Sequence, residues 1–288
     1  YPDRRAEPRD LHFAFTNITS ALAADAIWFN SDFHRQAFLT AVPELLARMP
    51  DHRPRDVRAT LEQRSAVVPP GIEVVAGSAR RASRSVSAPG ARDPLILWNH
   101  RWEHDKGPED CFAALEQVRQ AGGRFRLAVT GQRFRETPAV FETLGTRFAA
   151  ELECCGHLPE DDYRRLLARA DIVVSTARHE FLGLAVLEAI AAGAYPLLPA
   201  RLSYPEIIPS DLHADHLYEE DLEGTGAVPA RSALARRLLE LLGRPVLPGT
   251  AVVRASVIER YGWPARAAAF DAAFDALLAG PAGSGTAR

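Results

Sequence analysis

The sequence predicts an α/β protein that consists of the end of one α/β domain, a linker, and a second α/β domain that is nearly complete. Two observations support this fold class. From residue 94 onward, short apolar segments alternate with amphipathic ones, which is typical of a parallel sheet covered by helices on both faces. Before that point, residues 77–93 carry almost no large apolar side chain, and we interpret them as a flexible linker.

The first part, residues 1–76, has the apolar spacing of two helices and two short apolar segments. The helices are expected at residues 14–24 and 31–48, and the apolar segments at 26–29 and 65–68. Asn30 and Ser31 can cap the second helix. The chain starts at Tyr1 and its single methionine is Met49, so we expect residues 1–76 to be the remnant of a larger N-terminal domain.

The second part, residues 94–262, predicts strands and helices in alternation. The strands are expected at residues 94–98, 125–129, 152–155, 171–175 and 195–198, and the helices at 109–121, 139–150, 160–170, 183–192 and 230–242. Residues 263–288 are interpreted as a C-terminal helix at 264–279 and a disordered tail. In open parallel sheets, ligands bind beyond the carboxyl ends of the strands, so the loops at those ends are the candidates for a functional site.

The composition is that of an ordinary globular protein. The 288 residues are 47% hydrophobic and 25% charged, and a formal net charge of −3 excludes a chain-wide polycation that binds nucleic acid. No run of 18 apolar residues is present, so we expect no membrane span. We interpret Cys111, Cys154 and Cys155 as free thiols of a cytoplasmic protein, because they are too few for a disulfide framework.

The first candidate loop follows the apolar segment PLILW and contains Arg101 and Lys106. These two side chains lie five residues apart across a predicted turn, so they can converge on one anion. A guanidinium together with an ammonium suits a diphosphate. Lys106 is also the one lysine among 34 basic residues. The alternative is a solvated loop with scattered charges.

The second candidate loop follows the segment DIVVS and leads into a helix. Glu180 lies before this helix and Glu188 two turns within it. The backbone N–H groups around Leu182 and Gly183 have no intrahelical partners, and together with the helix dipole they can bind a phosphate or sugar oxygen. The helix is otherwise apolar, so a partly buried Glu188 needs a donor, which a ribose diol would supply. The alternative is a Glu188 that points to solvent.

A competing motif overlaps the first loop. The segment His100–His104 has the pattern H-x-x-E-H of zinc peptidases. That chemistry needs both histidines on one helix face, whereas this segment follows a strand and runs into loop composition, so we expect no metal. We interpret Trp102 as a packed aromatic. His157, at another strand end, can contact a nucleotide base or have no role.

The spacing R-x4-K followed by E-x7-E resembles that of retaining GT-B glycosyltransferases that use nucleotide sugars. The segments NHRWEHDKGPEDCF, STARHEFLGLAVLEA and LSYPEIIP are similar to those of one subfamily, the tRNA-queuosine α-mannosyltransferases, as are residues 1–31 and PDHRPRD. The resemblance covers most of residues 1–210. It implies two Rossmann-like domains, of which the N-terminal, acceptor-side one is truncated here and the C-terminal one binds the nucleotide sugar.

The resemblance also implies a chemistry and a set of residue roles. The implied enzyme is a cytoplasmic hexosyltransferase that moves mannose from GDP-mannose to queuosine in a tRNA anticodon, with retention of configuration and without a metal or other cofactor. By position, Arg101 and Lys106 would hold the donor diphosphate and stabilise the leaving group. Glu180 would bind mannose hydroxyls and Glu188 the ribose, and Phe181, Leu182 and Gly183 would offer backbone N–H groups. No residue is nominated as a nucleophile.

Two departures from the family pattern affect the expected activity. The common E-G-F-G loop is E-F-L-G in this chain, and the glycine-rich first loop of the family is absent from it. We therefore expect this chain to bind GDP-mannose but hardly to turn it over. The alternatives are a glycosyltransferase with a lipid, sugar or small-molecule acceptor, a donor-binding module without turnover, and the zinc hydrolase. The arginine-rich stretches at 53–58 and 80–92 either contact tRNA phosphates or are merely solvated.

Overall fold

The computed structural model describes residues 11–49, 55–74, 92–134, 137–219, 232–244 and 246–279. It divides into two compact units, one of residues Tyr1–Gly71 with Arg260–Arg288 and one of residues Ile72–Glu259. Strands pair in parallel in both units, which confirms the predicted α/β class. The predicted linker lies outside the described residues except for 92 and 93, and the predicted tail beyond 279 lies outside them entirely.

The helices and strands have the following bounds. The strands are β1 (Ile27–Phe29), β2 (Ser65–Val67), β3 (Leu95–Trp98), β4 (Arg126–Thr130), β5 (Leu152–Gly156), β6 (Ile172–Val174), β7 (Tyr195–Pro199) and β8 (Leu217–Tyr218). The helices are α1 (Leu11–Ala23), α2 (Asp32–Leu46), α3 (Val57–Gln63), α4 (Pro108–Gln120), α5 (Leu144–Arg147), α6 (Glu160–Leu167), α7 (Leu184–Ala192), α8 (Tyr204–Ile207), α9 (His213–His216), α10 (Ala233–Leu242), α11 (Thr250–Tyr261) and α12 (Trp263–Leu278).

The first unit contains a two-stranded parallel sheet, in which Ile27 pairs with Ser65 and Phe29 with Val67. Helices α1, α2 and α3 bury a small apolar core between them, whose central side chains are Ile18, Leu39, Val42, Val57 and Leu61. The hydroxyl of Ser31 accepts a hydrogen bond from the His34 N–H at 3.0 Å, so one of the two residues predicted to cap α2 does so. In the same unit, the Trp28 ring packs edge-on against Phe274 of α12.

The second unit contains a six-stranded parallel sheet with the spatial order β5-β4-β3-β6-β7-β8. Counted from β3, this is the order third, second, first, fourth, fifth, sixth, which is the doubly wound arrangement. The order reverses between β3 and β6. The loops that follow these two strands lie at the carboxyl edge of the sheet at that point, where ligands of such sheets bind.

Buried apolar side chains explain why β3 occupies the centre of this sheet. All four residues of β3 are buried, as expected of a parallel strand that is covered on both faces. Trp98 belongs to the same core as Phe112 and Leu115 of α4. Trp102 is buried as well, and its ring stacks on Phe141 with a centroid separation of 4.1 Å, which confirms the interpretation of Trp102 as a packed aromatic.

Most of the predicted elements are present, but the helix predicted at 139–150 was wrong. The chain instead forms a 3₁₀ turn at Ala139–Phe141 and the single turn α5. Phe141, Leu144 and Phe148 are all buried and have helix-like spacing in the sequence. Two separate turns bury them instead of one helix, because Thr143 and Gly145 are poor helix formers.

Several elements were missed: α3, α8, α9, α11 and β8. Most of them are short. The helix α11 is longer, but its buried apolar residues are Val253, Val257 and Tyr261, which is too few to give a clear helical periodicity in the sequence. The three cysteines are free thiols, as predicted. Across the residues described, no helix combines the length and apolar character needed to cross a bilayer.

Candidate active site

The loops that follow β3 and β6 meet at the point where the strand order reverses. The Thr176 hydroxyl reaches the backbone oxygens of Lys106 at 3.0 Å and Gly107 at 2.8 Å, and the Arg178 N–H donates to the Asp105 oxygen at 2.8 Å. Gly107 has a φ of +61°, and a Cβ at this position would lie 2.5 Å from the Thr176 oxygen. A glycine is therefore required where the two predicted loops touch.

Lys106 is buried between the two loops. Its Nζ lies 2.7 Å from the His179 backbone oxygen, 3.1 Å from Glu180 Oε2 and 3.2 Å from Asp105 Oδ2. The first two oxygens accept hydrogen bonds from the ammonium, and Asp105 is its ion-pair partner. The structure thus brings together Lys106 and Glu180, two predicted site residues from different loops, and it adds Asp105, which the sequence did not single out.

Glu180 is also bound to its own loop. Its Oε1 accepts from the Phe181 N–H at 3.1 Å and from the Leu182 N–H at 3.4 Å, so the carboxylate occupies backbone donors that were predicted to bind phosphate or sugar. Burial acts to raise the pKa of Glu180, but Lys106, His100 and the hydrogen bonds outweigh it and lower that pKa. Glu180 is therefore ionised at neutral pH. Gly183, with a φ of +86°, then turns the chain into α7.

Arg101 has different partners from Lys106. Its side chain is 52% exposed and pairs with Glu103 Oε2 at 3.1 Å, and its guanidinium carbon lies 5.8 Å from the centre of the Phe134 ring. The predicted convergence of Arg101 and Lys106 on one anion stays a prediction.

A cavity of about 410 Å³ lies at the carboxyl ends of β3, β4 and β5. It is lined by Asn99, His100, Arg101, Thr130, Gly131, Gln132, His157, Leu158, Pro159, Glu160 and Tyr163. Its volume is in the range of small-molecule sites. His157, the predicted base contact, is exposed in this lining. Gly131 is required beside it, because a Cβ there would overlap the backbone oxygen of His100.

His100 is a buried imidazole on the Lys106 side of the crevice. Burial, with a smaller contribution from Lys106, lowers the pKa of His100 to about 4, against the opposing effect of Glu180 and Asp105. The ring is therefore neutral at neutral pH. Within the part of the chain that the structure describes, its Nε2 has no hydrogen-bond partner.

Glu188 is partly buried rather than pointing to solvent, and its donor in this structure is a phenol. The Tyr163 hydroxyl donates to Glu188 Oε2 at 3.0 Å, and Asn99 Nδ2 donates to the same hydroxyl at 3.1 Å. Burial raises the pKa of Glu188, the nearby Glu73 acts in the same direction, and the Tyr163 hydrogen bond opposes both. Neither Asn99 nor Tyr163 was assigned a role from the sequence: Asn99 begins the quoted segment NHRWEHDKGPEDCF without a nominated function, and Tyr163 lies outside every quoted segment.

The two histidines of the H-x-x-E-H segment lie in different surroundings. His104 is half exposed beside Glu109, with 3.7 Å between its Nδ1 and Oε1 of the carboxylate, whereas His100 is buried. The segment forms a bend followed by a short 3₁₀ turn, so it does not present both rings on one helix face. Among the described residues, no group of three or more His, Cys, Asp or Glu is placed to hold a metal ion.

Two family models match the chain. The model described as "tRNA-queuosine alpha-mannosyltransferase N-terminal" matches residues 1–72, and the model described as "Glycosyl transferases group 1" matches residues 79–216. The second match contains both candidate loops and Glu188.

Curated relatives agree with these models. A tRNA-queuosine alpha-mannosyltransferase of Drosophila melanogaster is 35% identical over 214 residues, which is 73% of this chain and 57% of the relative. A GDP-mannose:cellobiosyl-diphosphopolyprenol alpha-mannosyltransferase of Xanthomonas oryzae is 22% identical over 191 residues, 65% of this chain and 47% of the relative. The chain thus spans about half the length of these relatives.

Among solved structures, the sucrose-phosphate synthase of Thermosynechococcus elongatus is similar, with a TM-score of 0.69 and 17% identity. The likeness covers 98% of this chain and 65% of that one. At this identity the likeness concerns the fold, and it confirms the GT-B class predicted from the sequence.

Proposed function

The chain belongs to the group 1 glycosyl transferases, in the tRNA-queuosine alpha-mannosyltransferase subfamily, and on that premise we propose that it transfers mannose from GDP-mannose to queuosine in tRNA, with retention of configuration. The observation that carries the proposal is the pairing of Lys106 with Glu180 at the strand-order reversal. This is where a doubly wound sheet binds its ligand. The Xanthomonas relative, named for GDP-mannose, supports the donor.

The nucleoside of the donor would occupy the cavity at the ends of β3, β4 and β5. His157 lines this cavity and would face the base, and Glu188, which Tyr163 joins to the cavity wall, would accept from the ribose. The diphosphate would extend toward Arg101 on the rim and toward Lys106, and the mannose toward Glu180.

The charges around Lys106 determine how a diphosphate could bind there. With His100 neutral, the group formed by Asp105, Lys106 and Glu180 carries one net negative charge, which repels a diphosphate. A phosphate oxygen would therefore replace a carboxylate on Lys106, while Arg101 supplies the compensating positive charge. The replaced Glu180 would then be free to accept from sugar hydroxyls. Donor binding and the placement of Glu180 are thus one event.

The same cations would assist the reaction. Negative charge grows on the departing GDP as the glycosidic bond breaks, and Lys106 and Arg101 would stabilise it. No residue serves as a covalent nucleophile in this proposal, and no metal is required.

The match of residues 1–72 supports tRNA as the acceptor, because the matching model is the N-terminal one of this subfamily. A tRNA substrate implies a cytoplasmic enzyme. Of the arginine-rich stretches suggested as phosphate contacts, only residues 55–58 and 92 are described in the structure.

Transfer of radiolabelled mannose tests this proposal. The chain is incubated with GDP-mannose and with tRNA that contains or lacks queuosine, with and without a chelator, while calorimetry on the same sample measures binding of GDP-mannose and UDP-glucose. We expect label only in queuosine-containing tRNA, at a low level because this chain is expected hardly to turn GDP-mannose over, and unchanged by the chelator. Equal labelling of both tRNAs, or of neither, would contradict the acceptor, and a preference for UDP-glucose would contradict the donor.

A further inference from the structure

A polar relay begins and ends on α7. Asn99, at the end of β3, donates through Nδ2 to the Ala185 backbone oxygen at 2.7 Å and to the Tyr163 hydroxyl at 3.1 Å. The Tyr163 hydroxyl, on α6, donates to Glu188 Oε2 at 3.0 Å. Ala185 and Glu188 are both on α7, one turn apart. The relay therefore ties the Glu188 carboxylate to the end of β3 as well as to its own helix.

The direction of every bond in the relay is fixed by chemistry. The Ala185 oxygen can only accept, so the Asn99 amide group must present its nitrogen there, and a flipped amide would place two oxygens face to face. Both Asn99 N–H groups are then used, which makes the Tyr163 oxygen an acceptor. Its single proton is left for Glu188. Burial raises the pKa of Tyr163, so the phenol keeps this proton.

The relay occupies one oxygen of Glu188 and leaves the other. No hydrogen bond to Oε1 is present among the described residues, whereas Oε2 is bound to Tyr163. Asn99 and Tyr163 both line the 410 Å³ cavity. Glu188 is thus joined to the cavity wall through Tyr163, and a carboxylate held at one oxygen can accept from a ligand hydroxyl with the other at little cost in side-chain entropy.

We infer that Tyr163, oriented by Asn99, is a positioning residue for Glu188 and sets the preference of the site for a ribose diol in the donor nucleotide. This inference rests on the proposed function, in which Glu188 accepts from the ribose. Without the phenol, Glu188 loses its fixed orientation, and the ribose diol contributes less to the free energy of nucleotide binding.

Calorimetry with matched nucleotides tests the inference. Dissociation constants are measured for GDP and for 2′,3′-dideoxy-GDP, which lacks the diol, with wild-type chain and Tyr163→Phe. We expect wild type to bind GDP at least about tenfold more tightly than the dideoxy form, as for a hydrogen bond to a charged group. In Tyr163→Phe this ratio falls at least threefold, while the dideoxy form binds within twofold of wild type.

Tyr195→Phe is the matched control. Tyr195 is a buried tyrosine of the same unit whose hydroxyl donates to the Asp215 backbone oxygen at 2.5 Å, away from the cavity lining. We expect its ratio to equal that of wild type. An unchanged ratio in Tyr163→Phe, or equal weakening of both nucleotides, would overturn the inference.

Asn99→Asp tests the direction of the relay with the phenol still present. The new carboxylate lies beside the Tyr163 hydroxyl and competes with Glu188 for its proton, so we expect the ratio to fall here too. A wild-type ratio in a folded Asn99→Asp chain would overturn the role of Asn99.

The pH dependence of the ratio separates positioning from general packing. Tyr163 on α6 and Glu73 are the groups that face Glu188, and the Tyr163 bond favours its charged form. As the pH falls, Glu188 is protonated and the preference for GDP over the dideoxy form decreases. In Tyr163→Phe the pKa of Glu188 is higher, so this decrease should begin at a higher pH. A packing defect would not cause such a shift.

A parallel series with UDP and 2′,3′-dideoxy-UDP separates this inference from the proposed donor. If UDP binds and GDP does not, the GDP-mannose assignment is wrong. The role of Tyr163 is then tested by the ratio of the dissociation constants of UDP and 2′,3′-dideoxy-UDP. If neither binds wild type, the nucleotide-sugar site and the relay are both wrong.

Discussion

Glu180 and Glu188 lie eight residues apart on a loop and the helix that follows it, and the structure moves their pKa values in opposite directions. Both are partly buried, so the desolvation of the carboxylates does not account for the difference. Glu180 faces the ammonium of Lys106 and two backbone N–H groups, whereas Glu188 faces a neutral phenol and another carboxylate, Glu73. The E-x7-E motif thus supplies two different carboxylates: Glu180, which is ionised beside a cation, and Glu188, which ionises less readily.

Removing the cation is expected to have the largest effect. Lys106→Ala leaves the carboxylates of Asp105 and Glu180 in a buried site without their partner, so we expect the free energy of unfolding to fall by about 3–5 kcal/mol. Donor affinity should fall at least about tenfold. Urea denaturation and calorimetry measure the two effects. A Lys106→Ala chain as stable as wild type would show that Glu180 is not held by this cation.

Acid titration of His100 tests the Glu180 side of the site. The folded chain holds the pKa of His100 at about 4, below the value of about 6.5 for an unfolded histidine. The unfolded state therefore binds a proton first, and stability that is complete above pH 6.5 is lost toward pH 4, by about 3 kcal/mol. Asp105, Lys106 and Glu180 face this ring. The measurement is urea denaturation between pH 4 and 7.5, compared with His100→Asn, whose profile should be flatter; identical slopes would refute the assignment to His100.

Isosteric substitutions compare the two carboxylates directly. Glu180→Gln removes the acceptor charge of a buried ion pair, so we expect a loss of about 1.5–3 kcal/mol at pH 7. Glu188→Gln removes a charge whose ionisation already opposes folding, because its folded pKa is raised, and the amide oxygen still accepts from Tyr163. We expect a change below about 1 kcal/mol. Denaturation of both variants at pH 7 is the measurement, and equal losses would remove the distinction between them.

Arg101→Ala is expected to change stability least. The side chain is half exposed and its partner, Glu103, is a neighbour in the same loop, so the free energy of unfolding should stay within about 0.5 kcal/mol of wild type. GDP affinity should nevertheless fall about tenfold if the guanidinium binds the diphosphate. The same calorimetry measures it, and unchanged affinity would remove Arg101 from the donor site.

The charged residues of the site were largely predictable from sequence, and the neutral residue Tyr163 was not. Lys106, Glu180 and Glu188 stand at loops and spacings that a linear pattern records. Tyr163 reaches Glu188 from a helix that begins 28 residues earlier than Glu188, and only the packing of α6 against α7 brings the two together. A tyrosine on a polar helix carries no signal of that contact.

The limits for the fold have similar physical causes. The alternation of strands and helices was visible because the central strands β3, β6 and β7 are buried throughout and continuously apolar. The turns around Phe141 and Phe148 imitate a helix in their apolar spacing, and β8 has only two residues. Strand order is set by which helices cross which face of the sheet, and no local pattern encodes it.

The enclosed ammonium of Lys106 has a kinetic consequence. Because this buried group already lies against three oxygens, two of them hydrogen-bonded to it and the third an ion-pair partner, a phosphate oxygen can reach Lys106 only after one of these contacts opens. The observed rate of nucleotide association should then rise with concentration at low nucleotide and level off at the opening rate of the cluster. In Glu180→Gln, where the bond that must open is weaker, the plateau should lie higher even though the chain is less stable.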